Sequence, residues 1–347
     1  MDNNLIPDHL QQRLLDEAWG LCSNPECNTS VTKEHSRLGH VFQPEIFSAE
    51  NLLVLCKKCH TTYCEDQPPS ATIQAWKILQ LAQWDGMQTS PADLKLAALR
   101  NYTGLAPLFP DEHFPFPFAG GKIYLNIHES HMMFARALGM YEPDKSHVIS
   151  TLFKPGMTFI DIGANKGDFS LIAAKIVGNE GKVLSFEPEP DNCRWIRKSI
   201  EMNNYTNIQL FDLALGSSNG EATLYIGEKS GWHSLVPNQA GRGMGEIEVT
   251  TRTLDSLLDE INNPDIDLIK IDVEGAEMEV LNGARETLSS NKDLTLLIDL
   301  HPHLGVNPIA VCNLLEENGF KIYNMDASFK EAVTPHMEIM EILARRP

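Results

Sequence analysis

The segment from Thr158 to Ile176 constrains the fold more than any other part of the chain. Thr158 to Ile162 are β-branched, aromatic and apolar residues around one acid, as in a buried strand. Gly163 and Gly167 then allow a tight turn, and Phe169 to Ile176 continue with the apolar spacing of a helix. A strand that passes through a glycine turn into a helix presents free backbone N–H groups to a ligand. The sequence therefore predicts a cradle for a nucleotide cofactor.

The turn does not carry the glycine spacing of a dinucleotide site. That fingerprint is G-x-G-x-x-G, whereas this loop reads D-x-G-x-N-x-G and places Asp161 in the strand. A carboxylate suits a ligand with an ammonium and a sulfonium better than one with a pyrophosphate. A second predicted strand, Lys182 to Phe186, leads into Glu187, which lies about 20 residues beyond Gly167, where an acid commonly binds ribose hydroxyls. Glu187 is therefore the candidate for binding the ribose hydroxyls of the cofactor.

A third predicted strand, Asn207 to Phe211, leads into Asp212. Asp212 is therefore a further candidate for contact with the cofactor. The alternative for Asp161, Glu187 and Asp212 is a solvated strand end or a helix cap, without a ligand.

A fourth predicted strand, Leu268 to Asp272, carries a dense group of charges at its carboxyl end. Open α/β sheets bind ligands at this end. Strand alternation puts Lys270 and Asp272 on one face, so a structural Lys–Asp pair is one interpretation. In the other, Asp272 or Glu274 orients an acceptor substrate or removes its proton. The sequence leaves both interpretations open.

Seven segments in this order resemble the FkbM-type S-adenosylmethionine-dependent methyltransferases over about residues 115 to 325: Gly139–Pro143, Lys154–Gly156, Asp161–Gly167, Gly181–Pro188, Thr253–Asp255, Asp267–Glu277 and Val280–Gly283. The resemblance implies an α/β fold of the Rossmann-like class I type with a mostly parallel sheet. It also implies S-adenosylmethionine as cofactor and O-methylation of a small polar molecule, glycan, peptide or natural-product intermediate. The expected cofactor contacts are Glu142, Asp161, Gly163, Ala164, Asn165, Gly167, Glu187 and Asp212. By analogy with other methyltransferases, Asp212 would approach the adenine edge.

A later predicted strand, Leu294 to Leu300, leads into His301. A base assists methyl transfer to a hydroxyl, and His301 is the leading candidate for that base, with Asp272 and Glu274 as the other expected catalytic residues. Members of the family often carry Glu two residues before such a His. This chain has Asp299 there, and its shorter side chain changes the reach toward an acceptor.

Four cysteines near the amino terminus have the spacing of a tetrahedral zinc site: Cys22, Cys27, Cys56 and Cys59. Residues 20 to 64 resemble the HNH nuclease ββα-metal fold. That resemblance would make His35 a general base, Asn51 its positioning residue and His60 a ligand of a catalytic ion, with Glu34 as a possible second ligand. We expect structural Zn²⁺, and a metal-dependent nuclease fused to the methyltransferase is the alternative function. A third hypothesis is a zinc-dependent adaptor that only senses the cofactor.

The charge of the chain argues against a nucleic-acid partner. Residues 1–66 contain five Lys or Arg and ten Asp or Glu, and the whole chain has a formal net charge of −19. Because nucleic-acid affinity comes largely from phosphate neutralisation, this sign disfavours nucleic acid, and it also disfavours anionic membranes.

The length of 347 residues predicts more than one domain. The expected division is a zinc module at 1–66, a helical and proline-rich linker at 67–112, and a methyltransferase domain at 113–347. Helices are predicted at 71–84 and 91–101. The prolines between 107 and 118 predict a packed segment without regular structure, which would either link the modules or cover the acceptor side. No apolar run has the length of a membrane span, and no signal peptide is apparent. The chain has seven cysteines, four of them in metal-type spacing, and this usage favours the reducing cytoplasm.

Overall fold

The computed structural model describes residues 12, 14–15, 36–40, 52–56, 102–106, 111–228, 230–237, 244–325 and 334–346. These residues fall into two compact units, Met1–Tyr141 and Glu142–Pro347. Across the described ranges, no helix is both long and apolar enough to span a bilayer. The predicted zinc ligands Cys22, Cys27 and Cys59 and the predicted helices at 71–84 and 91–101 lie outside the described residues.

The described residues of the first unit form two antiparallel strand pairs. Strands β1 (Ser36–His40) and β2 (Leu52–Cys56) pair with Ser36 opposite Cys56. Strands β3 (Phe114–Phe118) and β4 (Gly121–Leu125) pair across a short turn. The described helices of this unit include Tyr102–Leu105 and His131–Ala137.

The prediction that residues 107–118 lack regular structure is wrong for β3. The strand contains Pro115 and Pro117, which cannot donate to a β-ladder. A two-stranded sheet has only edge strands, so the prolines need no donor on their open side. The alternate residues Phe114 and Phe116 are buried, and this apolar face favours the strand despite the prolines.

The second unit is built on a seven-stranded sheet, and it confirms the predicted Rossmann-like fold with a mostly parallel sheet. The strand order is β13-β14-β12-β11-β5-β6-β7. The pairs that β14 makes with β12 and β13 are antiparallel, and the remaining pairs are parallel. The strands are β5 (Thr158–Ile162), β6 (Lys182–Phe186), β7 (Ile208–Phe211), β11 (Leu268–Ile271), β12 (Thr295–Asp299), β13 (Lys321–Tyr323) and β14 (Glu341–Arg345).

Helices connect these strands, as parallel pairing requires. They are Asp168–Val177, Pro190–Asn203, Leu254–Glu260, Glu277–Asn282, Arg285–Ser290 and Pro308–Glu317. One more helix, Pro143–Leu152, precedes β5. A smaller sheet of order β8-β10-β9 is formed by β8 (Ala214–Leu215), β9 (Gly220–Ile226) and β10 (Gly245–Arg252).

The central strands are buried along their whole length. Every residue of β5 and of β11 is buried, which is the pattern of a parallel sheet covered on both faces. The predicted bounds of β5 and β6 are confirmed, because each is a short, mostly apolar run that ends close to a turn. The predicted helix after the glycine turn is also confirmed, with one additional residue at each end.

The strand order reverses direction at β5, between β6 and β11, and a crevice at such a point is the usual ligand site of an open α/β sheet. Gly163 shows how tightly the two loops meet there. Its φ is +76°, and an added Cβ would lie 1.9 Å from the carbonyl oxygen of Asp272. Only a glycine lets the loop after β5 lie against the end of β11.

We expect Gly163→Ala to destabilise the protein more than Gly156→Ala. Both glycines have positive φ, but a Cβ at Gly156 would have no atom within 4 Å. Gly156→Ala should therefore cost only the backbone strain of about 1–2 kcal/mol, whereas Gly163→Ala adds a backbone clash. Urea unfolding measures both losses, and equal losses would contradict the close packing of the two loops.

Candidate active site

The glycine loop after β5 is fixed by hydrogen bonds to the end of β6. The backbone N–H groups of Gly163 and Ala164 both donate to the carbonyl oxygen of Phe186 at 3.0 Å. Gly167 donates to the carbonyl oxygen of Ala164 at 2.8 Å and has a φ of +85°. These contacts close the turn and start the following helix at Asp168.

Glu187 lies directly beside this loop. Its carboxylate is 5% exposed and accepts hydrogen bonds from the backbone N–H groups of Asn165 at 2.7 Å and Glu189 at 3.0 Å. The side-chain amide of Asn192 donates a third bond at 3.3 Å. Burial raises the pKa of Glu187 to about 7, although the backbone donors stabilise its charge. Glu187 therefore joins β6 to the loop and offers a carboxylate whose charge can change near neutral pH.

Asp161 is fully buried in the structure. Its carboxylate accepts a 2.6 Å hydrogen bond from the hydroxyl of Ser170, and its Oδ1 lies 3.3 Å from the Nζ of Lys270. Lys270 also donates to the carbonyl oxygen of Gly163 at 3.0 Å. Asp161 therefore holds Lys270, and Lys270 in turn holds the glycine loop. The expected contact between Asp161 and the cofactor stays a prediction.

Lys270 also lies near Asp272, so the lysine bridges two acids. Its Nζ is 3.7 Å from Asp272 Oδ2, and the Asp272 backbone N–H donates to the carbonyl oxygen of Ile162 at 3.1 Å. Burial disfavours the charge of Asp272, but the ammonium groups of Lys270 and Lys145 outweigh it and lower the pKa of Asp272. Asp272 is therefore ionised at neutral pH.

His301 faces three carboxylates from the loop and helix that follow β11. Its Nδ1 is 2.7 Å from Glu277 Oε1, within hydrogen-bond distance. Its Nε2 lies 3.5 Å from Glu274 Oε2 and 3.8 Å from Asp272 Oδ1. The structure therefore brings together all three residues that the sequence predicts to be catalytic, and it adds Glu277. We call Asp272, Glu274 and His301 the acceptor cluster.

The charges around His301 change its acid–base behaviour. Burial disfavours a protonated imidazole, but the bond to Glu277 and the charges of Glu274 and Asp272 raise the pKa of His301 to about 9. Burial, followed by repulsion from Asp272, raises the pKa of Glu274 to about 7. A protonated imidazole cannot accept a proton, so the base role expected of His301 requires that it first lose one.

Lys145 is a site residue that sequence reasoning missed. Its ammonium is nearly buried, lies 2.9 Å from Glu142 Oε2 and bonds to Asp299. Burial and the charge of Asp272 raise the pKa of Asp299 to about 8 against the attraction of Lys145. Asp299 nonetheless bonds to this lysine. Glu142 is the N-cap residue of the helix that carries Lys145, and its φ is +41°. No sequence motif indicates a contact between residues so far apart in the chain.

Asp212 differs from the other predicted cofactor residues because it has a surface partner. Its carboxylate pairs with Arg197, and both side chains are more than two-fifths exposed. Ion pairs at such exposure contribute little to stability, so the pair leaves Asp212 accessible to a ligand.

Residues 161–322 match the model of the Methyltransferase FkbM domain. Among curated relatives, the 2-O-methyltransferase NoeI of Sinorhizobium fredii is 29% identical over 175 residues, which are 45% of this chain and 71% of NoeI. The hexuronic acid methyltransferase AglP of Haloferax volcanii is 30% identical over 159 residues, covering 45% of this chain and 60% of AglP. A crystal structure of methyltransferase FkbM from Methylobacillus flagellatus is 18% identical, covers 77% of this chain and 65% of that chain, and has a TM-score of 0.39.

The described residues fit the cofactor of such enzymes, S-adenosylmethionine. The loop from Gly163 to Gly167 is a cradle that a Cβ would fill at Gly163, and Glu187 supplies a buried carboxylate beside it. Acids also outnumber bases where β5, β11 and β12 end, which suits a ligand with an ammonium and a sulfonium. The acids are Glu142, Asp161, Asp272, Glu274, Glu277 and Asp299, and the bases are Lys145, Lys270 and His301.

We expect Lys270→Met to destabilise the protein by about 3–5 kcal/mol, because it leaves the buried carboxylate of Asp161 without its cation. The double variant Asp161→Asn/Lys270→Met should recover much of this loss, since it removes both charges. Lys182→Met, at an exposed position of β6, should change stability by less than about 0.5 kcal/mol. Urea unfolding measures all three, and similar losses for the two lysine variants would contradict the buried pair.

Proposed function

We propose that this S-adenosylmethionine-dependent methyltransferase, whose residues 161–322 form an FkbM methyltransferase domain, methylates a hydroxyl oxygen of a glycan or another small polar molecule. The observation that carries the proposal is the position of the acceptor cluster. Asp272 packs its backbone against Gly163 of the glycine loop, and its side chain faces His301. Groups that can accept a hydroxyl proton therefore lie beside the glycine loop, which is the proposed cofactor site.

The names of two relatives support the acceptor class. NoeI is named a 2-O-methyltransferase and AglP a hexuronic acid methyltransferase. Hydroxyl-rich acceptors also suit a cluster of carboxylates, because each ionised oxygen accepts hydrogen bonds from hydroxyls. The net charge of −19 would repel nucleic acids and anionic membranes.

The cofactor contacts are proposed as the sequence predicts them. Glu187 would accept hydrogen bonds from the ribose hydroxyls, and Asp212 would approach the adenine. The backbone from Gly163 to Gly167, with Ala164 and Asn165, would line the loop side, and Asp161 would act there through Lys270. Glu142 would contribute through its pair with Lys145.

Methyl transfer requires mainly that the acceptor oxygen be aligned with the methyl group. S-adenosylmethionine supplies a methyl group that is already activated on a sulfonium. The acceptor oxygen would form the new O–CH₃ bond as the S–CH₃ bond breaks, with the bonding electrons returning to sulfur. The acceptor cluster, Asp272, Glu274 and His301, would orient the hydroxyl and receive its proton. Glu277 would act as a positioning residue that holds the His301 ring through Nδ1.

A methyl-transfer assay with labelled S-adenosylmethionine tests the function. The panel includes neutral glycans, uronic-acid glycans, peptides and nucleic acids, and mass spectrometry detects the product. We expect one labelled methyl ether on a glycan hydroxyl. His301→Ala should lower kcat by about 10²-fold or more, as for loss of an acid–base group, and leave cofactor affinity unchanged.

His147→Ala is the matched control, because it removes an exposed imidazole from the helix Pro143–Leu152 and should retain kcat. Labelled nucleic acid, or a methyl group on nitrogen, would contradict the proposed acceptor. Equal activity of the His301 and His147 variants would contradict the role of the acceptor cluster.

The pKa of Glu187 predicts a pH dependence of cofactor affinity. Ribose hydroxyls bind the ionised carboxylate best, so binding below a pKa of about 7 must release a proton. Affinity should therefore increase from pH 6 to pH 8, by at most about tenfold per pH unit below the pKa. Glu187→Gln should bind more weakly and flatten this slope, and Glu201→Gln, at an exposed position of the helix Pro190–Asn203 that follows Glu187, should keep it. Calorimetry measures both, and an unchanged slope in Glu187→Gln would exclude the ribose role.

We also propose that Cys22, Cys27, Cys56 and Cys59 bind one structural Zn²⁺ in a ββα-type module. The cysteine spacing supports this proposal, and so does the antiparallel pair of β1 and β2, which ends at Cys56. Metal analysis should find about one zinc per chain, and Cys56→Ser should lose this zinc. A module that is folded without zinc would contradict the zinc proposal.

The matches described above are methyltransferases and give the nuclease alternative no support.

The buried thiols of Cys193 and Cys312 are free. Together with the thiolate zinc ligands, they support a reducing compartment such as the cytoplasm as the proposed location.

A further inference from the structure

Three atoms of the acceptor cluster converge on one point. Asp272, Glu274 and His301 each offer one ligand atom, and these atoms all lie within 4.8 Å of one another. His301 Nε2 is 3.5 Å from Glu274 Oε2 and 3.8 Å from Asp272 Oδ1. Both separations exceed the 2.7–3.2 Å of an ordinary N–H···O hydrogen bond. The three groups therefore surround a shared position and do not bond to each other.

The spacing matches that of ligands around a divalent cation. Ligand atoms about 2.1–2.2 Å from a cation are about 3.0–3.8 Å apart at angles of about 90–120°. The two separations from His301 Nε2 fall in this range. The side chains are 12–26% exposed, so an ion can reach them from solvent and keep open positions for other ligands.

Residues outside the cluster orient two of its three ligand atoms. Glu277 is fully buried, and its Oε1 bonds to His301 Nδ1 at 2.7 Å, which turns Nε2 toward the carboxylates. This carboxylate–histidine pair is the usual outer-shell support of a metal-binding imidazole. Lys270 lies on the Oδ2 side of Asp272 and leaves Oδ1 facing His301. The lysine therefore does not take the position between the three groups.

We propose that Asp272 Oδ1, Glu274 Oε2 and His301 Nε2 bind one divalent cation of the Mg²⁺ or Mn²⁺ class, which holds the acceptor hydroxyl. Two carboxylate oxygens favour these hard ions, and one imidazole is compatible with Mn²⁺. A cation at this position coordinates the hydroxyl oxygen, lowers its pKa and orients it toward the methyl group. With the cation bound, His301 Nε2 is a ligand and no longer a base, so the hydroxyl proton leaves to solvent or to a carboxylate oxygen that does not bind the cation as the O–CH₃ bond forms. The identity of the acceptor rests on the proposed function, but cation binding does not.

Mn²⁺ binding to the full-length, zinc-loaded protein tests the proposal, with free Mn²⁺ measured by electron paramagnetic resonance. We expect one saturable site that is lost in Asp272→Asn and in Glu274→Gln. Glu277→Gln should weaken Mn²⁺ binding about tenfold or more, as loss of an outer-shell partner does. Glu279→Gln, which removes an exposed carboxylate from the same helix, should bind Mn²⁺ as the wild type does.

Retained binding of the demethylated cofactor shows that each variant is folded. Wild-type protein without saturable Mn²⁺ binding, or equal binding in all variants, would overturn the cation site. Methyl transfer that runs at full rate without divalent ions would also overturn it and leave the proposed function intact. Mn²⁺ binding that the variants lose, without transfer to any acceptor, would support the site and refute the proposed function alone.

Discussion

The buried contact between Asp161 and Lys270 determines how the functional end of the sheet is built. Lys270 lies opposite Asp161 in the parallel pair of β11 and β5, and its ammonium also bonds to the carbonyl oxygen of Gly163. One cation thus neutralises a fully buried carboxylate and fixes the glycine loop. Because a lone buried charge is strongly unfavourable, this arrangement couples the position of the loop to the stability of the domain.

The same lysine connects the loop to the acceptor cluster. It lies on the Oδ2 side of Asp272, so Asp272 Oδ1 is left for His301 and for ligands. Lys145 adds a second cation that pairs with Glu142 and Asp299. Acids still outnumber these cations, and the raised pKa values of Glu274 and Asp299 follow from burial and mutual repulsion. A positively charged cofactor and a divalent cation would both relieve this excess.

The sequence predicted local structure better than side-chain partners. The bounds of β5 and β6 follow from short apolar runs next to glycine, and the structure has the same bounds. The strand Phe114–Phe118 was not predicted because its prolines argued against regular structure. The alternate phenylalanines favour a strand only once the segment pairs with β4. Lys145 was missed because its partner Asp299 lies 154 residues away. The sequence also placed Asp161 directly before the glycine loop, but it could not show that the Asp161 side chain points inward to Ser170.

A crystal structure with S-adenosylhomocysteine would test most directly the claim that the glycine loop and the acceptor cluster form one active site. We expect the ribose hydroxyls within hydrogen-bond distance of Glu187, about 2.6–3.2 Å, and the sulfur facing Asp272 and His301 across a space that fits a methyl group and one acceptor oxygen. A ligand bound away from the ends of β5, β6 and β11, or a sulfur that points away from the acceptor cluster, would contradict this claim.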